Sequence, residues 1–501
     1  MVAGGAVALS AATASAAEPT VSRDEVRAIV AEMLQDAQSR SSLQGSAANA
    51  GYENGFFISS GDGNNRLNVN AFGQIRYTAN FRQPGASDLQ VDPATGPLTN
   101  QPGAPFTSEN FGFSLRRAAV ILSGNVINPD LTFKFRLISE SAPISFQPTV
   151  DASGVPVGGG DFFASDSDII FDDAYGRYQF LPGWFVQAGQ FRTPFTREFF
   201  IAETKTLAAD YSIVQDIFGG DYTQGILLEY QQPEWGFYAS FNDGLGSIGT
   251  EFNSFQGSPT FPVTGQAAYA VTARGEWYFA GSRQQLEDFT SLQSDPYAGV
   301  VGAAVHWQQS RRLDSSNFPS TFDPLLGGTT STGATADILT YTLDAQVEAN
   351  GWSVYAGFVG NFVSIDPIAG SVDGDENDTD SYGVVVQGSY RFLPELEAFA
   401  RWDGLFFDQG LFSSASPTSA TELRLKNLQF LTFGLNYYLA GHAAKFTLDT
   451  VFAFNPASRQ DDSFGTFAGL GGSSVLSSTQ GLLGATNGFE AALRAQFQFA
   501  F

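Results

Sequence analysis

The stretch that decides the fold runs from Phe489 to Phe501 and reads Phe-Glu-Ala-Ala-Leu-Arg-Ala-Gln-Phe-Gln-Phe-Ala-Phe. Every odd-numbered residue in it is apolar, whereas the even-numbered residues are Glu, Ala, Arg, Gln, Gln and Ala. Successive side chains of an extended chain point to opposite faces. The pattern therefore predicts a strand with one apolar face and one largely polar face, and this strand ends on an aromatic residue.

The same alternation recurs upstream, which indicates many strands of one kind. From Leu67 to Arg82, apolar residues share one face and mostly Asn, Gln, Arg and Thr share the other, and segments 131–137, 339–348 and 381–392 alternate similarly. A wide barrel accounts for the polar face because its lumen holds water. A soluble sandwich also alternates. A last strand that stops on an aromatic residue is, however, typical of outer-membrane barrels, whose strands alternate lipid-facing and lumen-facing residues.

The connections between these strands alternate in length, which is a second signal. Short turns such as 181–183 alternate with long connections such as 141–168, as periplasmic turns and outer loops do in such barrels. One inner connection, 281–296, is longer than the other turns. We predict an all-β fold, a sixteen-stranded antiparallel transmembrane β-barrel with a short N-terminal helix. An even number of strands closes without a free edge. The strands are predicted to begin near residues 67, 110, 130, 169, 184, 221, 235, 266, 297, 336, 351, 381, 396, 425, 443 and 488.

Composition excludes several classes of function. The chain of 501 residues has no cysteine, so it has neither a disulfide framework nor a cysteine-based metal or nucleophile site. Its net charge of −26 argues against nucleic acid as a partner, because phosphates are bound through Lys and Arg. Beyond the first twenty positions, no apolar run reaches the about 18 residues that a spanning helix needs.

The N-terminal part of the chain carries signs of export. Residues 1–16 are predicted to be a removed signal peptide, because 2–16 are apolar and end in an A-x-A-like pattern. Ser22 and Glu25 form a capping box for a periplasmic helix predicted within 17–40. That helix is too short to be stable alone. It forms either a coiled coil beneath a trimer or an amphipathic helix on the barrel or in its mouth. Residues 41–65 are a predicted linker, and 66–501 are the barrel domain.

Several segments match the pattern of a known family. The most specific is 189–195, which reads Gly-Gln-Phe-Arg-Thr-Pro-Phe, and further matches lie at 115–124, 133–136, 174–175 and 434–438. These segments resemble the phosphate-selective porin O and P family, whose corresponding element is G-Q-F-K-T-P-F, with Arg192 here in place of Lys. The resemblance spans roughly residues 65–501. It implies a trimeric outer-membrane porin of a Gram-negative-type bacterium, with sixteen strands and with inward-folded loops that narrow the pore.

The third long connection opens with residues 190–200, which carry part of this motif. The resemblance implies that this segment folds into the lumen and places Arg192 and Arg197 at the narrowest point. Polar and basic groups on a lumenal loop tune selectivity, whereas lipid-facing residues do not. The alternative is that Pro194 and Phe195 only pack the loop against the wall.

The chain departs from the family in its charge. Members that select phosphate line the pore with many Lys and Arg, but here Lys and Arg number 25 against 51 Asp and Glu. We therefore predict a diffusion channel for small hydrophilic solutes and ions with weak selectivity. Its pore-lining or constriction candidates are the cations Arg76, Arg116, Lys134, Arg136, Arg177, Arg192, Arg197, Arg274, Arg391, Arg401 and Lys445.

Other candidate sites have plainer explanations. The acidic run 373–380 packs oxygen ligands that suit Ca²⁺, but it lacks the Gly and Glu positions of an EF-hand loop. A solvated acidic loop is the alternative. His306 and His442 lack the spacing of metal ligands. No motif indicates an enzyme, a metal site or a cofactor.

Two functions from different classes remain open at this point. One is the porin, whose expected partners are outer-membrane lipid, two further copies in a homotrimer, and the permeating solutes. The rival is a structural outer-membrane protein whose loops close the barrel and whose N-terminal helix contacts the cell wall.

Overall fold

The computed structural model describes residues 48–53, 55–82, 90–91, 98–99, 109–140, 169–245, 267–311, 335–366, 378–406, 412–413, 422–423, 427–454, 479–482 and 489–501. The predicted signal peptide, the predicted helix at 17–40 and most of the acidic run at 373–380 lie outside these residues.

Sixteen long strands form the body of the molecule, and the predicted starting points are confirmed to within a few residues. They are β1 (Arg66–Arg82), β2 (Glu109–Asn125), β3 (Leu131–Glu140), β4 (Ile169–Leu181), β5 (Trp184–Arg192), β6 (Tyr222–Gln231), β7 (Trp235–Asn242), β8 (Ala267–Ala280), β9 (Ala298–Arg311), β10 (Thr335–Ala349), β11 (Trp352–Asp366), β12 (Asp378–Leu393), β13 (Leu396–Phe406), β14 (Leu428–Tyr438), β15 (Ala444–Ala453) and β16 (Glu490–Ala500).

Each strand pairs antiparallel with its neighbour in the chain, and the sheet closes on itself. The closing pair joins β16 to β1, with Glu490 opposite Arg82 and Ala500 opposite Phe72. Closure leaves no free edge along the barrel. Among the described residues, no helix is long and apolar enough to cross a bilayer.

The two faces of the wall differ as the alternation predicts. Large apolar side chains on the outer face remain exposed, such as Phe113 at 80% and Leu343 at 57%. Their neighbours along the strands point inward and are polar, such as Thr342 and Asp344. An apolar outer face suits lipid, because burying such side chains in hydrocarbon avoids their contact with water.

A short hairpin lies at the barrel seam, within the segment predicted as a linker over 41–65. Its strands are Asn49–Tyr52 and Phe56–Ser59, and the second pairs with the start of β1. The ring of Phe56 lies 5.8 Å from the ring of Phe501. The hairpin therefore continues the sheet at the point where β16 ends.

The remaining elements among the described residues are short. Two helices, α1 (Arg197–Phe200) and α2 (Ile213–Phe218), lie in the connection between β5 and β6. Two pairs of two-residue strands lie in other long connections, Gln90–Val91 with Leu98–Thr99 and Phe412–Ser413 with Glu422–Leu423. The rim that carries the short turns is called here the short-turn rim, and the barrel layout places it on the periplasmic side.

Candidate functional site: a loop across the barrel lumen

The connection between β5 and β6, residues 193–221, enters the barrel and is called here the lumenal loop. Its base is closed by Thr193, whose hydroxyl donates to the carbonyl of Asp221 at 2.6 Å. Phe195, two residues further, is fully buried. The loop therefore leaves the wall at a defined turn and crosses the interior.

The strand just before the loop shows why this local sequence turns inward. Gly189 has φ +129, and a Cβ there would lie 2.2 Å from the carbonyl oxygen of Ala174. Glycine is the residue that adopts such a backbone without strain. Gln190 donates to the carbonyl of Asp172 at 3.2 Å, and Phe191 is buried. This part of the motif therefore shapes the wall from which the loop departs.

Both helices of the loop begin at capping residues. Thr196 accepts from the amide of Phe199 at 3.3 Å, and Ser212 accepts from the amide of Gln215 at 3.0 Å. Each hydroxyl satisfies an amide that the short helix leaves without an internal partner. Glu198 in α1 accepts from the amide of Ser212 at 2.7 Å, which joins the two helices. Burial raises the pKa of Glu198 to about 7, against the lowering effects of Arg401 and Ser212.

The tip of the loop is held by one carboxylate among three guanidinium groups. Asp210 lies 2.8 Å from Arg76 in β1 and 2.8 Å from each of Arg116 and Arg117 in β2. Burial alone would raise the pKa of Asp210, but the three positive charges hold it well below the ordinary value. The carboxylate therefore stays ionised, as charge-assisted hydrogen bonds to arginine require.

A β-bulge brings the two consecutive arginines onto one face. Gln74 of β1 lies opposite Arg117, and the next residue, Ile75, lies opposite Leu115. Arg116 is the extra residue between these pairs. A bulge of this kind interrupts the alternation of side chains along a strand. Arg117, which regular alternation places on the lipid side, consequently reaches the lumen.

A second anchor lies on the neighbouring wall. Glu203 of the loop lies 3.1 Å from Arg136 in β3 and also pairs with Arg192 at the end of β5. Arg192 further donates to the hydroxyl of Tyr222 and to the carbonyl of Phe199. Burial raises the pKa of Glu203, but Arg136 and Arg192 outweigh it and hold the pKa below the ordinary value.

On the opposite wall, the start of the loop meets β8 and β10. Arg197 donates to Gln346 at 2.8 Å, and its backbone amide donates to Asp344 at 3.1 Å. Arg274 pairs with the same Asp344 at 2.8 Å and with Glu276 at 3.0 Å. The loop is therefore bound to the wall on both sides of the lumen.

A segment from the last long connection, residues 479–482, packs on the loop from the other side. Asp216 of α2 accepts from Thr479 at 2.8 Å and from Gln480 at 3.0 Å. Arg494 in β16 donates to the carbonyl of Thr479 at 3.0 Å. Burial raises the pKa of Asp216 to about 7, and the negative charge of Asp210 adds to the shift.

The geometry is that of a barrel narrowed by inward-folded segments. Comparison with known proteins identifies a family of such barrels. The model of the family described as phosphate-selective porin O and P matches residues 100–451. The chain belongs to this family. As a porin of this family it is a channel of the outer membrane of Gram-negative bacteria.

Several solved structures are similar to this porin. One is the outer-membrane channel DcaP of Acinetobacter baumannii, with 15% identity, a TM-score of 0.47, and coverage of 88% of this chain and 99% of that one. Another is OmpF of Salmonella typhi in complex with daunomycin, with 14% identity, a TM-score of 0.46, and coverage of 90% and 100%. A third is the anion-selective porin from Comamonas acidovorans, with 11% identity, a TM-score of 0.46, and coverage of 87% and 100%. A search among curated proteins found no match.

The structure divides the predicted pore-lining cations of this porin into two groups. Most are buried in contacts with carboxylates, carbonyls or rings. Lys445 donates to the carbonyl of Thr206 at 2.7 Å, Arg401 lies 3.1 Å from Asp403, and Arg391 lies over the ring of Tyr438. The buried predicted cations are Arg76, Arg116, Arg136, Arg197, Arg274, Arg391, Arg401 and Lys445.

The second group keeps contact with solvent. The side chain of Lys134 in β3 is 31% exposed and lies 2.6 Å from Asp173. The side chain of Arg177 in β4 is 26% exposed and lies 2.6 Å from Glu229. Arg192 is intermediate at 15%. A cavity of about 500 Å³ lies on the outer side of β4–β6, where Ala174, Gln190 and Gln224 alternate with inward side chains such as Tyr175 and Phe191.

Sequence reasoning missed the residues that hold the loop. Neither Asp210 nor Glu203 stands out in the sequence, because each is a single acid in an irregular connection. Arg117 was assigned to no site, although two adjacent arginines within an alternating strand are a signal for a bulge.

The two histidines behave as ordinary polar residues. His306 is fully buried, with its ring nitrogens 2.8 Å from the hydroxyl of Thr272 and 3.0 Å from the side-chain oxygen of Gln308. His442 lies 3.4 Å from Asp288. Within the described parts of the chain, no cluster of three or more His, Asp or Glu residues could hold a metal ion.

Proposed function

We propose that this porin is a weakly selective diffusion channel for small hydrophilic solutes and ions, without a high-affinity phosphate site. The observation that carries the proposal is the engagement of lumenal cations by the protein's own carboxylates. Asp210 alone neutralises charge from Arg76, Arg116 and Arg117, each at 2.8 Å. A phosphate competing for these donors has to displace a buried carboxylate from a bound loop.

The ion pairs of the more exposed cations also support weak selectivity. Lys134 and Arg177 each face a carboxylate at 2.6 Å, so a passing ion meets both signs at nearly the same depth. Water and salt screen charges beyond about 8 Å at physiological ionic strength. The net charge of −26 therefore matters less to a permeating ion than these local pairs.

Planar-bilayer recording tests the proposal. Purified porin should form channels whose reversal potential in a salt gradient lies near zero, and millimolar phosphate should leave the chloride current unchanged. Submillimolar block by phosphate would contradict the absence of a phosphate site. The absence of any conductance in folded protein would favour the rival, a structural protein with a closed barrel.

We further propose a homotrimer, as the family resemblance implies. Native mass measurement in mild detergent tests this directly, and a monomer would contradict it. Deletion of 17–47, which leaves the hairpin at 49–59 in place, tests whether the predicted N-terminal helix assembles the trimer. The same deletion tests the predicted contact with the cell wall, because truncated porin should then lose co-sedimentation with peptidoglycan.

A further inference from the structure

The long connection between β8 and β9 is not part of the proposed function. Residues 281–297 join β8 to β9, which are neighbouring strands, yet the segment travels far from both. It is called here the inner strap. The carbonyl of Phe289 accepts from Ser353 in β11, and Asp288 lies 3.4 Å from His442 in the turn between β14 and β15. The strap therefore crosses the lumen at the short-turn rim.

Packing and hydrogen bonds fix the strap in this position. Phe289 is 1% exposed, and its ring lies 5.0 Å from that of Tyr355. Gln293 donates to the carbonyl of Arg391 in β12 at 3.1 Å, and the amide of Asn350 donates to the carbonyl of Asp295 at 3.0 Å. A segment held by a buried ring and by hydrogen bonds to neighbouring strands and turns is a structural part of the short-turn rim.

The strap also contacts the lumenal loop, from the side of the short-turn rim. Lys205 of the loop lies 3.3 Å from Glu287 of the strap, and Arg197 donates to the carbonyl of Leu286. The two segments together fill one side of the lumen. Inward side chains on that side are almost without contact with solvent, and four of them on β10, β14, β15 and β16 are exposed by 1% or less: Gln346, Thr432, Asp449 and Arg494.

The wall formed by β3 and β4 differs in its short-turn half, whereas Arg136 and Asp173 further along these strands are buried. Lys134 and Arg177 keep 31% and 26% of their side chains exposed. Thr132, which lies opposite Arg177 on the same inward face, is also half-buried rather than buried. Solvent contact is thus concentrated on one part of the circumference.

We propose that the permeation path is eccentric at its short-turn mouth: it opens along the start of β3 and the end of β4, past Lys134 and Arg177, and the inner strap with the lumenal loop closes the remaining lumen there. This inference rests on the proposed channel function. It makes the ion pairs of Lys134 with Asp173 and of Arg177 with Glu229 the determinants of selectivity. Arg192 at the end of β5 and Arg197 in the lumenal loop then act by holding the loop in place.

Cysteine accessibility tests the path, because the chain has no native cysteine. Thr132→Cys and Thr432→Cys form a matched pair: both threonines face the lumen, but Thr432 is fully buried. A negatively charged methanethiosulfonate is added during bilayer recording. We expect a stepwise loss of current for Thr132→Cys and no change for Thr432→Cys. Equal loss for both variants, or loss only for Thr432→Cys, would overturn the eccentric path.

Charge reversal provides a second readout that does not depend on reagent access. Lys134→Glu should shift the reversal potential toward cations, because it leaves two carboxylates beside the path. Arg66→Glu at the short-turn rim is the control, since Arg66 pairs with Glu53 of the seam hairpin at 2.9 Å and not with a residue of β3 or β4. A conducting Lys134→Glu channel with unchanged reversal potential would contradict the proposal.

Replacing the strap tests its closing role. A two-residue glycine turn in place of 282–296 should raise the conductance and make Ser353→Cys reactive, because the strap covers Ser353. Unchanged conductance and an unreactive Ser353→Cys would refute that role. If the shortened barrel does not fold, as judged by its mobility in unheated gels, Phe289→Ala provides the same readout. If the channels conduct but none of these variants changes reactivity, selectivity or conductance, only the eccentric path is refuted. If the folded protein does not conduct, the proposed channel function itself is refuted.

Discussion

The carboxylate of Asp210, at the tip of the lumenal loop, lies 2.8 Å from the guanidinium of Arg76 in the first strand of the barrel. Both side chains are shielded from solvent, at 0% and 1% exposure. Two further arginines share the carboxylate, so removal of its charge affects three cations at once. This contact joins a loop that starts at β5 to the seam of the barrel, and it is the natural first target for mutation.

Asp210→Asn should loosen the lumenal loop and release three arginines toward the path, which moves the channel toward anion selectivity. The variant keeps the shape of the side chain but removes the negative charge shared by Arg76, Arg116 and Arg117. Breaking a buried pair by removing one partner costs about 3–5 kcal/mol, so the thermal stability of the barrel should fall as well. Reversal potential and phosphate block of the chloride current measure the change in selectivity.

Asp62→Asn is the matched control for that experiment, because Asp62 is an exposed acid that bonds only within its own turn. It should leave both properties unchanged. An Asp210→Asn channel with wild-type selectivity and stability would show that the three arginines do not depend on this carboxylate.

The packing of 479–482 on the lumenal loop should depend on pH through Asp216. Its pKa is raised from 3.8 to about 7 when the segments are packed, so the packed state binds more protons across this range. Packing is therefore favoured at acid pH and weakens as pH rises toward 7. Asp210 and Glu203, whose pKa values are lowered, contribute stability that is already complete above the ordinary carboxyl range.

Separation of residues 479–482 from the lumenal loop should appear as open-channel current noise. It should increase from about pH 5 to about pH 8 in the wild type, and Asp216→Asn should abolish the increase because the amide oxygen still accepts from Thr479 and Gln480. Persistence of the same pH dependence in Asp216→Asn would assign it to other groups, of which Glu198 is the first candidate.

Gly189→Ala should destabilise the barrel where the lumenal loop departs. A Cβ at this position meets the carbonyl oxygen of Ala174 at 2.2 Å and requires φ near +129. Such strain costs about 1–3 kcal/mol. Gly176→Ala in β4 is the control, because nothing lies within 4 Å of a Cβ there. The temperature at which the folded band converts on gels should fall for the first variant only, and equal behaviour would refute the backbone argument.

Leu343→Arg should test the orientation of the wall toward lipid. Leu343 lies in β10 and is 57% exposed on the outer face. An arginine facing lipid near the bilayer midplane costs about 2–4 kcal/mol. Folding titrations into lipid vesicles should show this loss for Leu343→Arg, whereas Leu343→Ala should lose far less. A neutral Leu343→Arg would place this position outside the hydrocarbon.

Most of the architecture follows from local pattern. The period-two alternation and the alternating turn lengths locate all sixteen strands, because every strand meets the same two environments, lipid on one side and polar interior on the other. The segment that enters the lumen could also be located, since the motif at 189–195 matches a family with inward-folded loops. The length of the connection at 281–296 marked it as unusual, although nothing in it indicated where it goes.

The sequence by itself therefore determined the number of strands, the closure of the barrel, and which face of each strand is apolar. Only the tertiary structure decided which charges meet. Asp210 lies 134, 94 and 93 positions from its three arginines, and one of these, Arg117, faces inward through a bulge that depends on pairing with β1. The same holds for the strap, whose contact with His442 joins distant turns. Alternation is a property of each strand alone, whereas ion pairs across a lumen depend on the positions of several strands and loops at once.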